Sequence, residues 1–290
     1  MKKILITLAV ALAIVATQNA FAASVDLTLN GTGFGSLNGG IYQRSGFQPA
    51  GSGVIASFVR ISAANQDFVQ GYNTSARPLQ FDENNTLTFT HDIQLQDVGT
   101  VTGNGSNGTT NGVQYKEFIL DINQTGSDPL LTLNRVVVTV TGANQTGSNV
   151  TPGTRLGSAT SLFPGSDSIV YDSGSGNLVQ LDYNIGAGSG IGDMSLLIPV
   201  SAFTTAGATG TSFITLYSEF GSLSGDSTCA NTASYSAVPT STCHANNNDG
   251  YEEWAFRVAS PTASSPEPTS LVLLGFALVG IGIARKRMSN

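Results

Sequence analysis

The chain has 290 residues and a formal net charge of −7, with 12 lysines and arginines against 19 aspartates and glutamates. Five of the basic residues lie near the two ends of the chain. Without them, seven basic residues remain against the 19 acidic ones, so the part between the ends carries a charge of about −12. This balance repels phosphate backbones and argues against nucleic acid as a partner. Charged residues are only 11% of the chain, and its polarity comes from Ser, Thr, Asn, Gln and Gly, as is typical of extracellular β proteins.

The first residues have the order of a secretory signal. Lys2 and Lys3 precede an apolar run over residues 4–15, and the small residues Ala20 and Ala22 frame a cleavage site. The run is shorter than the roughly 20 residues that a membrane-spanning helix needs. We therefore predict a signal peptide over residues 1–22, cleaved after Ala22, and export through the Sec machinery.

Residues 23–260 have the two-residue period of β-strands, with runs bounded by Gly, Asn, Ser and Asp. The runs are SVDLTLNGTG, LTFTHDIQLQ, KEFILDINQ, LLTLNRVVVTVTG, DSIVYDSG, NLVQLDYNIG, MSLLIPVSAF, SFITLYSEFG and YEEWAFRV. No helical period is sustained, and Pro199 indicates an edge strand or a bulge. The sequence predicts one all-β domain, a single β-sandwich or jelly roll, with the Gly- and Asn-rich stretches after residues 98 and 140 as long loops.

The two cysteines, Cys229 and Cys243, favour a disulfide, because an exported chain meets an oxidising compartment. Two alternatives stay open from the residues alone. The thiols could both be free, or Cys229 could be a nucleophile activated by the nearby His244.

No catalytic signature occurs in the sequence: it has no Gly-x-Ser-x-Gly elbow, no Cys-x-x-Cys and no paired histidines at metal-ligand spacing. His91 has the strand parity of Leu87 and Ile93, so we expect it on the buried face, with Asp92 pointing away. A hydrogen-bonded core histidine is favoured over a catalytic base. These observations predict a protein that is not an enzyme.

The best metal candidate is DINQTGSD, where Asp121, Asn123 and Asp128 partly match the start of a calcium loop. The match is incomplete, because Thr132 stands where a bidentate glutamate is expected. We therefore expect a turn there and no cofactor, with calcium as the weaker alternative. The acidic stretch NNNDGYEE also favours a turn.

Trp254 in YEEWAF is the one tryptophan of the chain and has two interpretations. It could be an exposed platform on which a sugar stacks, or a core anchor of the last strand. Burial in the core is favoured, because large aromatic side chains are heavily buried on average.

The last part of the chain contains an apolar run over residues 271–284, which as a helix would span about 21 Å. A bilayer core is about 30 Å thick, so the run can cross only with help from flanking residues. Arg285, Lys286 and Arg287 would stay on the cytoplasmic side. We predict a linker over residues 261–268 and a transmembrane helix with a basic tail over residues 269–290.

Pro266, Glu267 and Pro268 precede this helix, and the three parts in order closely resemble the PEP-CTERM sorting signal of bacterial exosortase substrates. The body is also similar to the cores of other PEP-CTERM proteins in EFILDINQ, GSGIGDMSLLIPVSAF and YEEWAF. The resemblance implies export across the inner membrane of a Gram-negative-type bacterium, recognition by a membrane-embedded exosortase, and cleavage near Pro-Glu-Pro. It implies release or re-anchoring at the cell surface, and no reaction.

Together these features predict a non-enzymatic protein of the cell surface or extracellular matrix. The main alternative is a lectin-like module that binds extracellular polysaccharide, with or without calcium. A secreted hydrolase is the third interpretation, and it requires that His91 or an acidic pair line a cleft.

Overall fold

The computed structural model describes residues 23–258, apart from residues 30, 46–56, 63–65, 164, 166, 186–191 and 230–242. The strands are, in chain order, β1 (Ser24–Asp26), β2 (Phe34–Leu37), β3 (Gly40–Arg44), β4 (Val59–Ser62), β5 (Phe68–Tyr72), β6 (Ile93–Gln94), β7 (Thr100–Thr102), β8 (Gln114–Asp121), β9 (Leu130–Thr141), β10 (Ser168–Asp172), β11 (Leu178–Asp182), β12 (Met194–Pro199), β13 (Phe213–Gly221) and β14 (Tyr251–Phe256). The one α-helix described, α1, spans Val200–Thr205, and short 3-10 helices span Ala159–Ser161 and Tyr183–Ile185.

The strands form two seven-stranded sheets. Sheet 1 has the order β1-β11-β9-β13-β5, with β10 paired to β9 and β6 paired to β13. Sheet 2 has the order β2-β3-β12-β8-β14-β4, with β7 paired to β8. The neighbouring strands are antiparallel except for β1 and β11, which are parallel. The predicted all-β class is confirmed, and the arrangement is sandwich-like.

The longest strand, β9, shows why this sequence forms sheets. Its 12 residues, LLTLNRVVVTVT, are mostly β-branched or apolar, and such side chains pack well on a pleated surface. Val136, Val138 and Val140 belong to the core between the sheets. Val137, on the opposite face, packs in a second apolar cluster with Tyr217 and residues 150–163. Because both faces of β9 are covered, eleven of its residues are buried.

The core between the sheets is large and contains polar contacts that join one sheet to the other. The hydroxyl groups of Tyr42 in sheet 2 and Tyr171 in sheet 1 lie 2.8 Å apart. The indole Nε1 of Trp254 in sheet 2 donates a hydrogen bond to Ser218 Oγ in sheet 1, at 3.1 Å. The side chains of Tyr42, Tyr171 and Trp254 are buried, so these bonds satisfy polar atoms that water cannot reach.

The run LTFTHDIQLQ does not form the predicted strand, because only Ile93–Gln94 pairs with a neighbour. Leu87 is 56% exposed, although its parity placed it on the buried face. The backbone turns instead: Asn84 Oδ1 accepts a hydrogen bond from the Thr86 amide at 3.0 Å, and the Thr86 carbonyl accepts one from Phe89. Such local side-chain bonds compete with sheet pairing.

Pro199 lies at neither an edge nor a bulge, so that prediction was wrong. It is the last residue of β12, which pairs with both β3 and β8 inside sheet 2. The proline stops the ladder there, since it has no N–H to donate, and α1 follows directly. The predicted loop after residue 98 also contains a strand, β7, which pairs with β8.

Candidate functional site

The residues predicted for export and sorting lie outside the described part of the chain. This holds for the signal-cleavage residues Ala20 and Ala22 and for the whole segment that follows residue 258. The predicted sorting residues in that segment are Pro266, Glu267, Pro268, Arg285, Lys286 and Arg287. Within residues 23–258 as described, no helix has the length and apolar character needed to cross a membrane.

The predicted disulfide between Cys229 and Cys243 is confirmed, with 5.0 Å between the two Cα atoms. No thiol is therefore left to act as the nucleophile of the alternative hypothesis, because these are the only two cysteines of the chain. The neighbouring His244 is held by its backbone, which bonds to Ser227 and Cys229. Its Nδ1 lies 2.6 Å from Asn134 Oδ1 and 3.4 Å from Arg155 Nη2.

Loss of the disulfide has a predictable effect. Replacing both Cys229 and Cys243 with serine should lower the free energy of unfolding by about 3 kcal/mol, because the unfolded chain regains the freedom of a loop of about 15 residues. Urea denaturation of the full chain measures the change. Reductant should lower the midpoint of the wild type and leave that of the double variant unchanged. Equal midpoints for the wild type and the double variant in the absence of reductant would contradict the prediction.

A polar cavity of about 190 Å³ lies beside His244, and its lining includes Arg135, Arg155 and Glu219. Its charges are paired within the protein: Arg155 binds Asp226 through Nη2, and its Nη1 lies 4.0 Å from Glu219 Oε2. Burial raises the pKa of Glu219, although the Leu156 amide and the Tyr217 hydroxyl donate to its Oε1. Among the described residues of the lining, Glu219 is the only carboxylate, so they provide no acidic pair of the kind that glycoside hydrolysis needs.

The sequence predicted His91 on a buried face with Asp92 pointing away, and this prediction was wrong. Both residues are half-buried and line an open groove of about 560 Å³ together with Asp97 and Phe256. The Nδ1 atom of His91 is buried without a hydrogen-bond partner. The groove therefore meets the condition of the hydrolase interpretation that His91 line a cleft. No carboxylate holds its Nδ1 atom, whereas a carboxylate holds that atom in the histidine of a catalytic triad.

Trp254 is fully buried and belongs to the core between the sheets. The core interpretation is confirmed, and the exposed stacking platform is excluded. The lectin-like alternative therefore loses its aromatic candidate, since a sugar cannot stack on a ring that has no exposed face.

The DINQTGSD segment forms a tight turn that is closed by Asn248. Thr125 and Asp128 make an isolated bridge, in which the Asp128 amide donates to the Thr125 carbonyl at 2.9 Å. Asn248 Oδ1 accepts from the Thr125 amide at 2.9 Å, and its Nδ2 donates to the Asp128 carbonyl at 2.7 Å. The carboxylate of Asp128 is thus at the turn, whereas Asp121 ends β8. In the described part of the chain, no three His, Cys, Asp or Glu side chains form a group that could hold a metal ion.

Asp121 belongs to a different arrangement, which we call the acidic cluster: Asp121, Asp193, Glu252 and the amide side chain of Gln124. Its members come from the end of β8, the residue before β12 and the start of β14, which are neighbours in sheet 2. The Ile122 amide donates to Asp193 Oδ2 at 2.8 Å, and the Asn123 amide donates to Glu252 Oε2 at 3.3 Å. The three acids and Gln124 are all buried.

The electrostatics of the acidic cluster are unusual. Burial is the main cause that raises the pKa of Asp193 to about 8, and the charges of Asp121 and Asp182 add to it. Burial also raises the pKa of Glu252, with Asp193 and Asp121 as the neighbouring charges. Buried carboxylates that influence each other in this way are costly to ionise together.

The sequence did not predict this cluster, whose parts lie in three separate segments of the chain. EFILDINQ contains β8 residues and Gln124, GSGIGDMSLLIPVSAF contains Asp193, and YEEWAF contains Glu252. Comparisons of the chain with family models, with curated proteins and with solved structures found no match.

Proposed function

We propose that this protein is an exported, exosortase-processed protein of the cell surface or extracellular matrix that has no catalytic activity. The observation that carries the proposal is the order of segments in the sequence: a signal peptide, an all-β body, Pro266-Glu267-Pro268, an apolar run and three basic residues. The disulfide of the body supports it, because such bonds persist in oxidising compartments outside the cytosol.

Each part of the C-terminal segment has a physical role in this proposal. The apolar run holds the chain in the bilayer, and the cluster Arg285-Lys286-Arg287 stops its translocation. Pro266 and Pro268 disfavour a helix and keep the preceding chain extended, which suits a protease. Phe256, the last residue of β14, lies ten positions before Pro266, a length that reaches at most about 35 Å when extended. The cleavage point can therefore lie beyond the folded body but close to it.

Intact-mass analysis of the protein recovered from the native cell surface and medium tests the proposal. The wild-type chain should begin near Ala23 and end near Pro268. A variant with Pro266, Glu267 and Pro268 replaced by alanine should stay uncut in the membrane fraction. The reason is that the replacement removes the motif and the extended conformation together.

A matched control places two alanines next to the motif, in Ser264→Ala/Ser265→Ala, and should be processed like the wild type. A mature chain that retains Asn290 in the wild type would contradict the proposal. The C-terminal segment would then be a permanent anchor.

Among the described residues, the lectin-like alternative retains the polar cavity beside His244 and the open groove beside His91. The described lining of the cavity has no aromatic residue, and its two arginines are already paired with carboxylates of the protein. Sugar sites usually combine a stacking ring with free polar groups. The groove does contain a ring, that of Phe256, beside Asp92 and Asp97, so binding of the protein to a glycan array tests this alternative.

A further inference from the structure

Two of the buried carboxylates of the acidic cluster have no ion-pair partner among the described residues. Neither Asp193 nor Glu252 takes part in any of the ion pairs formed within the described residues. The charges that act most strongly on both are those of other carboxylates. Buried charges in proteins are normally paired or bound to a metal, because an isolated ion loses its hydration without compensation.

Two oxygen atoms in the acidic cluster lack any partner. Asp193 is 5% exposed, and its Oδ1 is buried without a hydrogen bond, whereas Oδ2 accepts from the Ile122 amide. Gln124 is 2% exposed, and its Oε1 is also buried and unpartnered. The Gln124 amide lies against the cluster, since its Nε2 donates to Glu252 Oε1 and to Asn247 Oδ1, each at 3.1 Å. Unsatisfied acceptors of this kind, in a site that already carries negative charge, are unusual in folded proteins.

From this arrangement we infer that the acidic cluster binds a calcium ion, with Asp193 Oδ1 and Gln124 Oε1 as protein ligands and Glu252 and Asp121 supplying further negative charge. The ligand set mixes carboxylate and amide oxygens, because the acids alone do not form a metal-binding group among the described residues. The inference is independent of the proposed export and sorting.

Calcium is the cation that suits these groups best. It accepts carboxylate, side-chain amide and backbone carbonyl oxygens at variable coordination number, whereas magnesium requires a nearly ideal octahedron. The cluster contains no thiolate or imidazole, the ligands that favour zinc and copper. The bound ion would connect the β8–β9 turn, the residue before β12 and the start of β14.

Thermal unfolding of the full chain, prepared free of metal with EDTA and then dialysed, tests the inference. Addition of calcium chloride at pH 7.5 should raise Tm by several degrees in a saturable manner, because an ion that binds the folded state stabilises it by mass action. Magnesium chloride at the same concentration should raise Tm less. Isothermal titration calorimetry should give about one calcium ion per chain.

Asp193→Asn keeps the shape of the side chain and removes one charge, so it should abolish the calcium-dependent rise in Tm. Asp249→Asn is the matched control: Asp249 is exposed in the adjacent loop, and its variant should respond to calcium like the wild type. Gln124→Met is a second variant that leaves all the acids in place. It should weaken calcium binding at least tenfold.

Two results would overturn the inference. The first is a wild-type Tm that does not change with calcium, whatever the behaviour of the variants, since protons alone would then neutralise the cluster. The second is a calcium response that persists unchanged in Asp193→Asn and Gln124→Met. The wild-type comparison needs no variant, so misfolding of a variant would not leave the inference untested.

Discussion

Replacing Trp254 with alanine should lower the free energy of unfolding by about 3–5 kcal/mol, the range for truncation of a large buried aromatic side chain. The indole is fully buried in the core between the sheets. Its removal leaves a cavity and also deprives Ser218 Oγ of the hydrogen bond that joins the two sheets. Urea denaturation, followed by far-UV circular dichroism, measures the loss.

The control for this substitution lies in the same strand. Tyr251→Ala removes a ring that is 37% exposed, and it should cost less than about 1 kcal/mol, as is usual for surface positions. Trp254→Phe should give an intermediate loss, because most of the volume is retained and the hydrogen bond is not. A Trp254→Ala protein as stable as the wild type would show that the indole is not the core anchor described above.

Asp172→Asn should destabilise the protein by about 3 kcal/mol, because it removes the carboxylate that pairs directly with the buried guanidinium of Arg135 and leaves it only the attraction of Glu219. Arg135 Nε lies 2.7 Å from Asp172 Oδ1, and Nη2 lies 2.9 Å from Oδ2. The arginine side chain is 5% exposed and cannot release its proton to relieve the cost. Asparagine has nearly the same shape, so the change isolates charge from packing.

The matched variant Asp226→Asn carries the same substitution at a more exposed pair. The Arg155 side chain is 27% exposed, so water can solvate it after the change, and the loss should be below about 1 kcal/mol. Equal losses in the two variants, measured by urea denaturation, would show that burial of the arginine does not determine the cost.

Strand prediction succeeded where the sequence pattern and the tertiary contacts agree. Four of the predicted runs became the strands β8, β9, β13 and β14. They are rich in β-branched and aromatic residues, and apolar side chains of each strand belong to the core between the sheets. LTFTHDIQLQ has the same alternation, yet the side chain of Asn84 bonds to the backbone at its start and turns the chain. Alternation alone could not distinguish these two cases.

One strong local signal was overlooked. Asn38 and Gly39 have φ angles of 47° and 86°, as a tight hairpin turn requires, and they connect β2 to β3. An Asn-Gly pair between short strands is the most specific sequence indication of a hairpin. Polar positions in the flanking FGSL and GIYQR weaken the alternation, which explains why the strands were not predicted.

The acidic cluster was beyond sequence reasoning for a different reason. Ile122 and Asp193 are separated by 71 positions, and Asn123 and Glu252 by 129. Only the order of strands in sheet 2 brings these segments together. The sequence did identify the stretches around Asp121 and Glu252 as acidic, but it treated them as two unrelated turns.

The position of β14 has a consequence for how the chain folds. It is the last described strand in the sequence, yet it lies inside sheet 2, between β8 and β4. The partner of β4 is therefore synthesised about 195 residues later, since Val59 pairs with Trp254. Such distant pairing makes folding slow, and sheet 2 cannot close while the chain is still being synthesised up to residue 256. Assembly of this body is thus a late, cooperative event, and a chain truncated before β14 would expose the core faces of two strands.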